Sequence, residues 1–325
     1  MNDTVSLIDG IATPDAAAIA ATRAALAPHV RTTPVFARDD LVGLEGTTTD
    51  FKFELLQNAG TFKARGAFSN LLALDGAARA AGVTCVSAGN HAVAVAYAAQ
   101  RLGIPAKVVM IRTASPARVA LCRRYGAELV MADDGAGAFA AVRAIEAAEG
   151  RFFVHPFNGL RTVLGTATLG AEWVEQVPDL DSIIIPIGGG GLAAGVATAF
   201  KLLSPKTEVF GVEPEGAASF EQGGPLKMAH LSGIADSLMA PHTEMYSYSL
   251  CRRGIDALCT VSDAQLRAAM RLLFDELKLA VEPACAAATA ALMGPLRDRL
   301  RGQHVGILLC GTNTDPATLH RHLIG

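Results

Sequence analysis

From residue 83 to residue 155 the chain repeats one pattern, a short apolar run followed by an alanine-rich stretch of helical length. The runs 83–87, 106–111, 127–132 and 151–155 predict strands, while 90–102, a stretch opening at Ser115-Pro116, and 138–148 predict helices. Strands that are apolar throughout need cover on both faces, which points to a parallel sheet flanked by helices. A second series follows: helix 162–176, strand 182–187, helix 192–203 and strand 207–212, then helices 263–278 and 283–292 and strand 304–309. Upstream, Thr13-Pro14-Asp15 reads as an N-cap, a first-turn proline and a first-turn acid, opening a helix to about Leu26. The run 51–56 reads as a strand and 67–74 as a helix, so Lys63 is expected where a strand gives way to a helix. Periodicity is lost between 213 and 250, where a long irregular stretch in a compact chain points to a functional surface. The expected fold is α/β with two closely packed lobes, each a mostly parallel sheet covered by helices.

Composition narrows the function. The 325 residues are 51% hydrophobic and 18% charged with a formal net charge of −3, and no basic run offers a nucleic acid or an anionic membrane a surface. No apolar segment reaches membrane-spanning length, and the N-terminus lacks the marks of a signal peptide, so a cytoplasmic protein with a small-molecule partner is expected. Cys85, Cys122, Cys251, Cys259, Cys285 and Cys310 form no CxxC pair and no Cys/His ligand spacing, which predicts reduced thiols and no structural zinc.

Three stretches can carry chemistry. In Gln57-Asn58-Ala59-Gly60-Thr61-Phe62-Lys63-Ala64-Arg65-Gly66, the lysine between an aromatic residue and a glycine-containing turn is a candidate Schiff-base former, although taken alone it reads more readily as a solvated lysine. Gly188-Gly189-Gly190-Gly191-Leu192 follows a strand and opens a helix, where bare N–H groups and the helix dipole favour a phosphate. Dinucleotide binding competes for that turn: Gly188-x-Gly190-x-x-Ala193 fits the permissive fingerprint, and Glu213 ends the next strand where a ribose-binding acid belongs. Ser87-Ala88-Gly89-Asn90-His91 also joins a strand to a helix and could hold a carboxylate; the plainer reading makes Asn90 a helix cap and His91 a packed histidine.

In order and spacing, these stretches together with Val281-Glu282-Pro283-Ala284 and Cys310-Gly311-Thr312-Asn313 resemble the fold-type II pyridoxal-phosphate enzymes. The match is to the threonine/serine dehydratase, serine racemase and phenylserine dehydratase group, and it covers nearly the whole chain. The resemblance implies a tryptophan synthase β-like fold, with residues 1–66 and 153–325 as the large cofactor domain and 67–152 as the small substrate-side domain. It implies that Lys63 forms the internal aldimine, Phe62 lies against the pyridine ring, Asn90 bonds the ring hydroxyl, Gly188 to Leu192 cradle the phosphate and Cys310 faces the ring nitrogen. Ser87, Ala88, Gly89, Asn90 and His91 would surround the substrate carboxylate. The implied reaction removes water from a β-hydroxy-α-amino acid, with Lys63 as base, to give a 2-oxo acid and ammonia. A homodimer is implied too. Racemisation on the same fold and a nicotinamide-dependent oxidoreductase are the alternatives.

The departures from that group are informative. Ala88 stands where its racemases carry a serine acid/base, and Cys310 stands where relatives commonly place serine, giving the ring nitrogen a weak neutral partner that favours elimination over transamination. Val93 and Ala94 replace Gln-Gly, while Ser237 and Cys285 replace glycines. Glu213-x-x-x-Ala217-x-Ser219 lacks the last acid of the group's cation motif, so no metal is expected. Phe139, Phe157 and the Tyr246/Tyr248 pair could wall an apolar pocket suited to a methyl or aryl group on Cβ. Threonine, serine, 3-phenylserine and 3-hydroxyaspartate are the candidate substrates. The chain ends soon after the Cys310 motif, so no C-terminal regulatory domain is expected.

Overall fold

The computed structural model describes residues 6–44, 46–224 and 226–324. Among them the larger sheet runs in the order Ala257–Val261, Glu208–Pro214, Ser182–Pro186, His304–Leu308, Thr48–Lys52, Val35–Arg38, parallel except for its last pair. The smaller sheet runs Glu128–Ala132, Ala106–Ile111, Val83–Val86, Phe152–Phe153 and is parallel throughout. The two-lobed α/β arrangement expected from the alternating pattern is the one found.

Burial explains why the apolar runs become central strands. Ile183, Ile184 and Ile185 are all inaccessible to solvent, and the helices Gly191–Leu203 and Pro283–Met293 pack on their strand. Pro283–Met293 is buried at every position from Pro283 to Leu292, which its small side chains and lack of a polar face allow. In the smaller sheet Val83, Cys85, Val108 and Met110 join one core with Phe68 and Leu71, while Val86, Val109 and Phe153 join another with Ala138 and Val142.

Local corrections follow from particular bonds. Asp15 caps the first helix, Ala16–Leu26, accepting from the N–H of Ala18 at 2.7 Å, so Thr13 is not its N-cap. The strand expected over 51–56 is Thr48–Lys52; Phe53 leaves extended geometry and Glu54–Leu56 forms a 3-10 turn. The next helix therefore starts at Lys63 and runs to Leu72 rather than spanning 67–74. The segment 213–250 is less irregular than its composition suggests, with short 3-10 turns and the start of the helix Met245–Gly254.

Sheet order decides where the chemistry collects. Ser182–Pro186, His304–Leu308 and Thr48–Lys52 are neighbours, and their carboxyl ends lead to the glycine turn, to Cys310 and to the Lys63 segment. Val83–Val86 and Phe152–Phe153 are neighbours in the other sheet and lead to Ser87–His91 and to His155–Phe157. Open α/β sheets bind ligands at such carboxyl ends.

Candidate active site

Lys63 opens its helix with its N–H near Thr61 Oγ1, at 3.3 Å, and the preceding Phe62 N–H donates to the carbonyl of Cys310 at 3.1 Å. Its Nζ donates to the carbonyl of Pro156, and burial pushes the amine down to about 8. The Lys63 amine, Phe62, His91, His155, Pro156, Thr166 and Gly191 line one enclosed space. No carboxylate pairs with Lys63 among the described residues. An amine so placed is neutral for part of the time near neutrality, as nucleophilic and basic chemistry requires.

The glycine turn meets this space from the larger sheet. Gly190, at φ +88°, caps the helix Gly191–Leu203, and the N–H groups of Gly188 through Leu192 have no acceptor among the described residues. A Cβ on Gly189 would lie 2.3 Å from the Phe157 ring, and one on Gly191 would lie 2.4 Å from the Phe157 carbonyl oxygen. Side chains are excluded, and bare donors at a helix N-terminus remain. Thr166 Oγ1 anchors the turn by donating to the Gly191 carbonyl at 2.7 Å. Glu213 does not serve a ribose: its two oxygens accept from the N–H groups of Phe220 at 3.0 Å and Glu221 at 2.9 Å, with Ser219 Oγ 3.5 Å away. Burial raises this carboxyl to about 7, and it acts as a clasp on the loop that follows.

Asn90 begins the helix Asn90–Leu102, but Gly89 is the N-cap and Asn90 does not cap. Its Nδ2 donates to Glu282 Oε1 at 2.5 Å, and its Oδ1 accepts from Asn313 Nδ2 at 2.7 Å. Ser87 Oγ accepts from the N–H of Gly89 at 3.0 Å, which folds the short Ser87–Gly89 turn ahead of that helix, with Ala88 inside it. His91 is buried, its Nε2 2.8 Å from the Val154 carbonyl; burial lowers its pKa to about 3, with Lys63 adding to the effect, so it is a neutral donor. The Cys310 thiol lies 3.8 Å from the Ala284 carbonyl and beside Cys285, and that neighbour together with burial raises its pKa well above the ordinary thiol value. It is a neutral group.

The anticipated residues thus converge from both lobes, and several unanticipated ones join them. Arg118, nearly inaccessible, bonds Asp236, donates to Glu282 Oε2 at 3.2 Å and to the Asn313 carbonyl at 3.0 Å, tying the helix Pro116–Arg124 to the Asn90 partners. Glu282 and Asn313 lay within stretches already singled out in the sequence, whereas Arg118 sits in a short arginine-rich helix without a clear apolar face and carried no signal. Of the proposed pocket aromatics, Phe139 and Phe157 both meet His242. The tyrosines do not: the Tyr246 hydroxyl donates to the Ala12 carbonyl at 2.7 Å, and Tyr248 packs on Phe220.

Comparison with known proteins agrees with this geometry. The family described as pyridoxal-phosphate dependent enzyme matches residues 26–311. The chain is 69% identical over 320 residues to phenylserine dehydratase from Ralstonia pickettii, covering 97% of this chain and 98% of the relative. It is 36% identical to beta-hydroxyaspartate dehydratase from Paracoccus denitrificans, covering 89% and 92% of the two chains. The solved structure of maize serine racemase superposes with a TM-score of 0.91 at 34% identity, covering 95% and 96%.

Proposed function

We propose, from the premise that this chain belongs to the pyridoxal-phosphate dependent enzymes, that it is a dehydratase removing water from a β-hydroxy-α-amino acid with an aryl group on Cβ, 3-phenylserine above all. The observation that carries the proposal is a buried amine without a counter-ion, facing a turn of unpaired N–H groups. The residues present fit the cofactor. The bare donors of Gly188 to Leu192 suit its phosphate, the Lys63 amine suits its aldehyde, Phe62 offers a ring face and the neutral Cys310 thiol suits an unprotonated ring nitrogen. When bound, pyridoxal phosphate supplies an electron sink that acidifies the Cα hydrogen of an attached amino acid.

The chain's own residues do the rest. Lys63, held near neutrality by burial, takes the Cα proton as general base. Asn90, fixed between Glu282 and Asn313, would stand beside the cofactor's ring hydroxyl and help to hold it. Ser87 to His91, at the N-terminus of Asn90–Leu102, receive the substrate carboxylate, and the neutral His91 adds a polar neighbour without a charge. Ala88 has no proton to give, so the face opposite Lys63 lacks an acid and racemisation is disfavoured. In this reading residues 1–66 and 153–325 form the larger unit, 67–152 the smaller, and the enzyme works as a cytoplasmic homodimer.

The test is spectroscopic and chemical. The purified protein should show visible cofactor absorbance that borohydride abolishes, and it should release a 2-oxo acid and ammonia from 3-phenylserine. Lys63→Ala should do neither. Product formation by Lys63→Ala at the wild-type rate, or reduced nicotinamide in place of the yellow chromophore, would overturn the proposal.

A further inference from the structure

Rings gather at the edge of the site where the lobes meet. Phe139, on the helix Gly135–Glu149 beside the smaller sheet, meets His242 edge-on with centroids 5.5 Å apart. Phe157 lies 5.6 Å from the same imidazole and 4.7 Å from His155. Phe157 also follows Pro156, the acceptor of the Lys63 amine, and its ring covers Gly189. The wall therefore begins one residue from the reactive nitrogen and ends on the opposite lobe.

His155, His242 and Glu244 converge here, yet they make a poor cation site. His155 Nδ1 accepts from the N–H groups of Asn158 at 3.0 Å and Phe157 at 3.3 Å. Its hydrogen must then sit on Nε2, and the ring keeps no lone pair for a metal. Glu244 stands 3.2 Å from His242 Nε2 and 3.7 Å from His155 Nε2, so a carboxylate lies beside both rings. The nearby Arg143 guanidinium already lies over the Phe153 ring at 4.6 Å and donates to Glu146 at 2.8 Å. A second substrate carboxylate arriving here would meet Glu244, with Arg143 already engaged.

We infer that Phe139, Phe157 and His242 form the subsite for an aryl group on Cβ of the substrate, and that Phe139 sets the preference for aryl over methyl or carboxylate. The inference rests on the dehydratase reading above. Aromatic rings attract one another edge-to-face or offset at centroid separations of roughly 4.5–7 Å, the spacing these three already hold. A substrate ring extends that packing, a methyl group covers little of it, and a carboxylate is repelled by Glu244.

The experiment measures kcat/KM of the holoenzyme for 3-phenylserine, threonine and 3-hydroxyaspartate in the wild type, Phe139→Leu and Phe139→Ala. The ratio of 3-phenylserine to threonine should fall about threefold in Phe139→Leu and at least about tenfold in Phe139→Ala, the range expected for pocket contacts of this size. Ratios that stay within about twofold of wild type in both variants overturn the inference, as does equal loss on all three substrates, which marks Phe139 as structural. Phe139→Leu keeps a bulky apolar side chain at that position, so a folding defect in the alanine variant does not remove the test. A wild type that releases 2-oxo acid from threonine but not from 3-phenylserine sinks the aryl subsite and the aryl preference proposed above, while the dehydratase reading stands. Release from none of the three sinks the dehydratase reading as well.

Discussion

Two lysines eleven positions apart, Lys52 inaccessible and Lys63 half-buried with its amine enclosed, show how one fold treats the same group in opposite ways. Lys52, fully inaccessible, gives its three protons to Glu172 Oε1 at 2.6 Å, Gln176 Oε1 at 2.6 Å and the Thr33 carbonyl at 2.8 Å. Glu172 Oε2 accepts in turn from Arg65, which grips both oxygens of Glu54 at 2.7 and 2.9 Å. The cluster balances two cations with two carboxylates. Lys63 has the Pro156 carbonyl instead. Burial lowers both amines, but for Lys52 the neighbouring Glu172 opposes the shift, whereas Lys63 falls to about 8. Enclosure alone does not mark a reactive lysine; enclosure without a counter-ion does.

The two sites are also joined. Arg65 lies on the helix that Lys63 opens, so the satisfied cluster fixes the backbone that presents the unsatisfied amine. The contrast can be broken most sharply at Lys63 itself: Lys63→Ala should lower turnover of 3-phenylserine by at least about a thousandfold, as expected when a positioned base and covalent anchor are removed together. A smaller loss in steady-state assays would mean another group supplies the base.

Next in size is stability, where the two lysines should differ in sign. Lys52→Met leaves the two buried carboxylates, Glu54 and Glu172, with Arg65 as the one cation of the cluster and should cost about 3–5 kcal/mol in urea unfolding. Lys63→Met in the cofactor-free protein should instead gain up to about 3 kcal/mol at pH 7, because the native state no longer encloses a disfavoured charge. The folded pKa near 8 lies below the unfolded value of 10.5, so between them the unfolded chain binds more protons. Wild-type stability should therefore climb with pH across that window relative to Lys63→Met, with the full penalty present below pH 8. Parallel curves for the two proteins would show that Lys63 is not enclosed as described.

The smallest test supplies Lys63 with what Lys52 has. Only the neutral amine attacks an aldehyde, so attachment of free pyridoxal phosphate to the apoprotein should accelerate with pH and level off above about 8. Cys310→Asp places a carboxylate where a neutral thiol now stands, and the midpoint of that rise should move up by about one pH unit, worth about 1.4 kcal/mol. An unmoved midpoint would mean that residue 310 does not act electrostatically on the amine.

Much of this arrangement was legible in the chain itself, and the reasons differ by element. Continuous apolar runs between alanine-rich stretches located the interior strands Ser182–Pro186, Glu208–Pro214, His304–Leu308, Val83–Val86 and Ala106–Ile111, since burial on two faces leaves no room for polar alternation, whereas the polar Thr48–Lys52 was placed three residues late. The edge strands Val35–Arg38 and Ala257–Val261 escaped notice because they are short, only partly buried and show no period-two alternation. Lys63 and the glycine turn were legible because local chemistry restricts what can stand there. Arg118, His155 and His242 were not, because Glu282, Glu244 and Phe139, which they respectively meet, lie far away in sequence. For the same reason Tyr246 and Tyr248 looked like pocket residues until the Ala12 carbonyl and Phe220 claimed them.

The contact between Gly189 and Phe157 restricts how descendants of this chain can diverge. A methyl group at 189 has no room while the ring at 157 stays in place, and a smaller residue at 157 uncovers the turn and removes the ring contact with His242. Neither position can drift by itself without loss. A side chain at 189 can be accommodated only after the ring at 157 has gone, so substitutions at 157 and 189 should be inherited in that sequence.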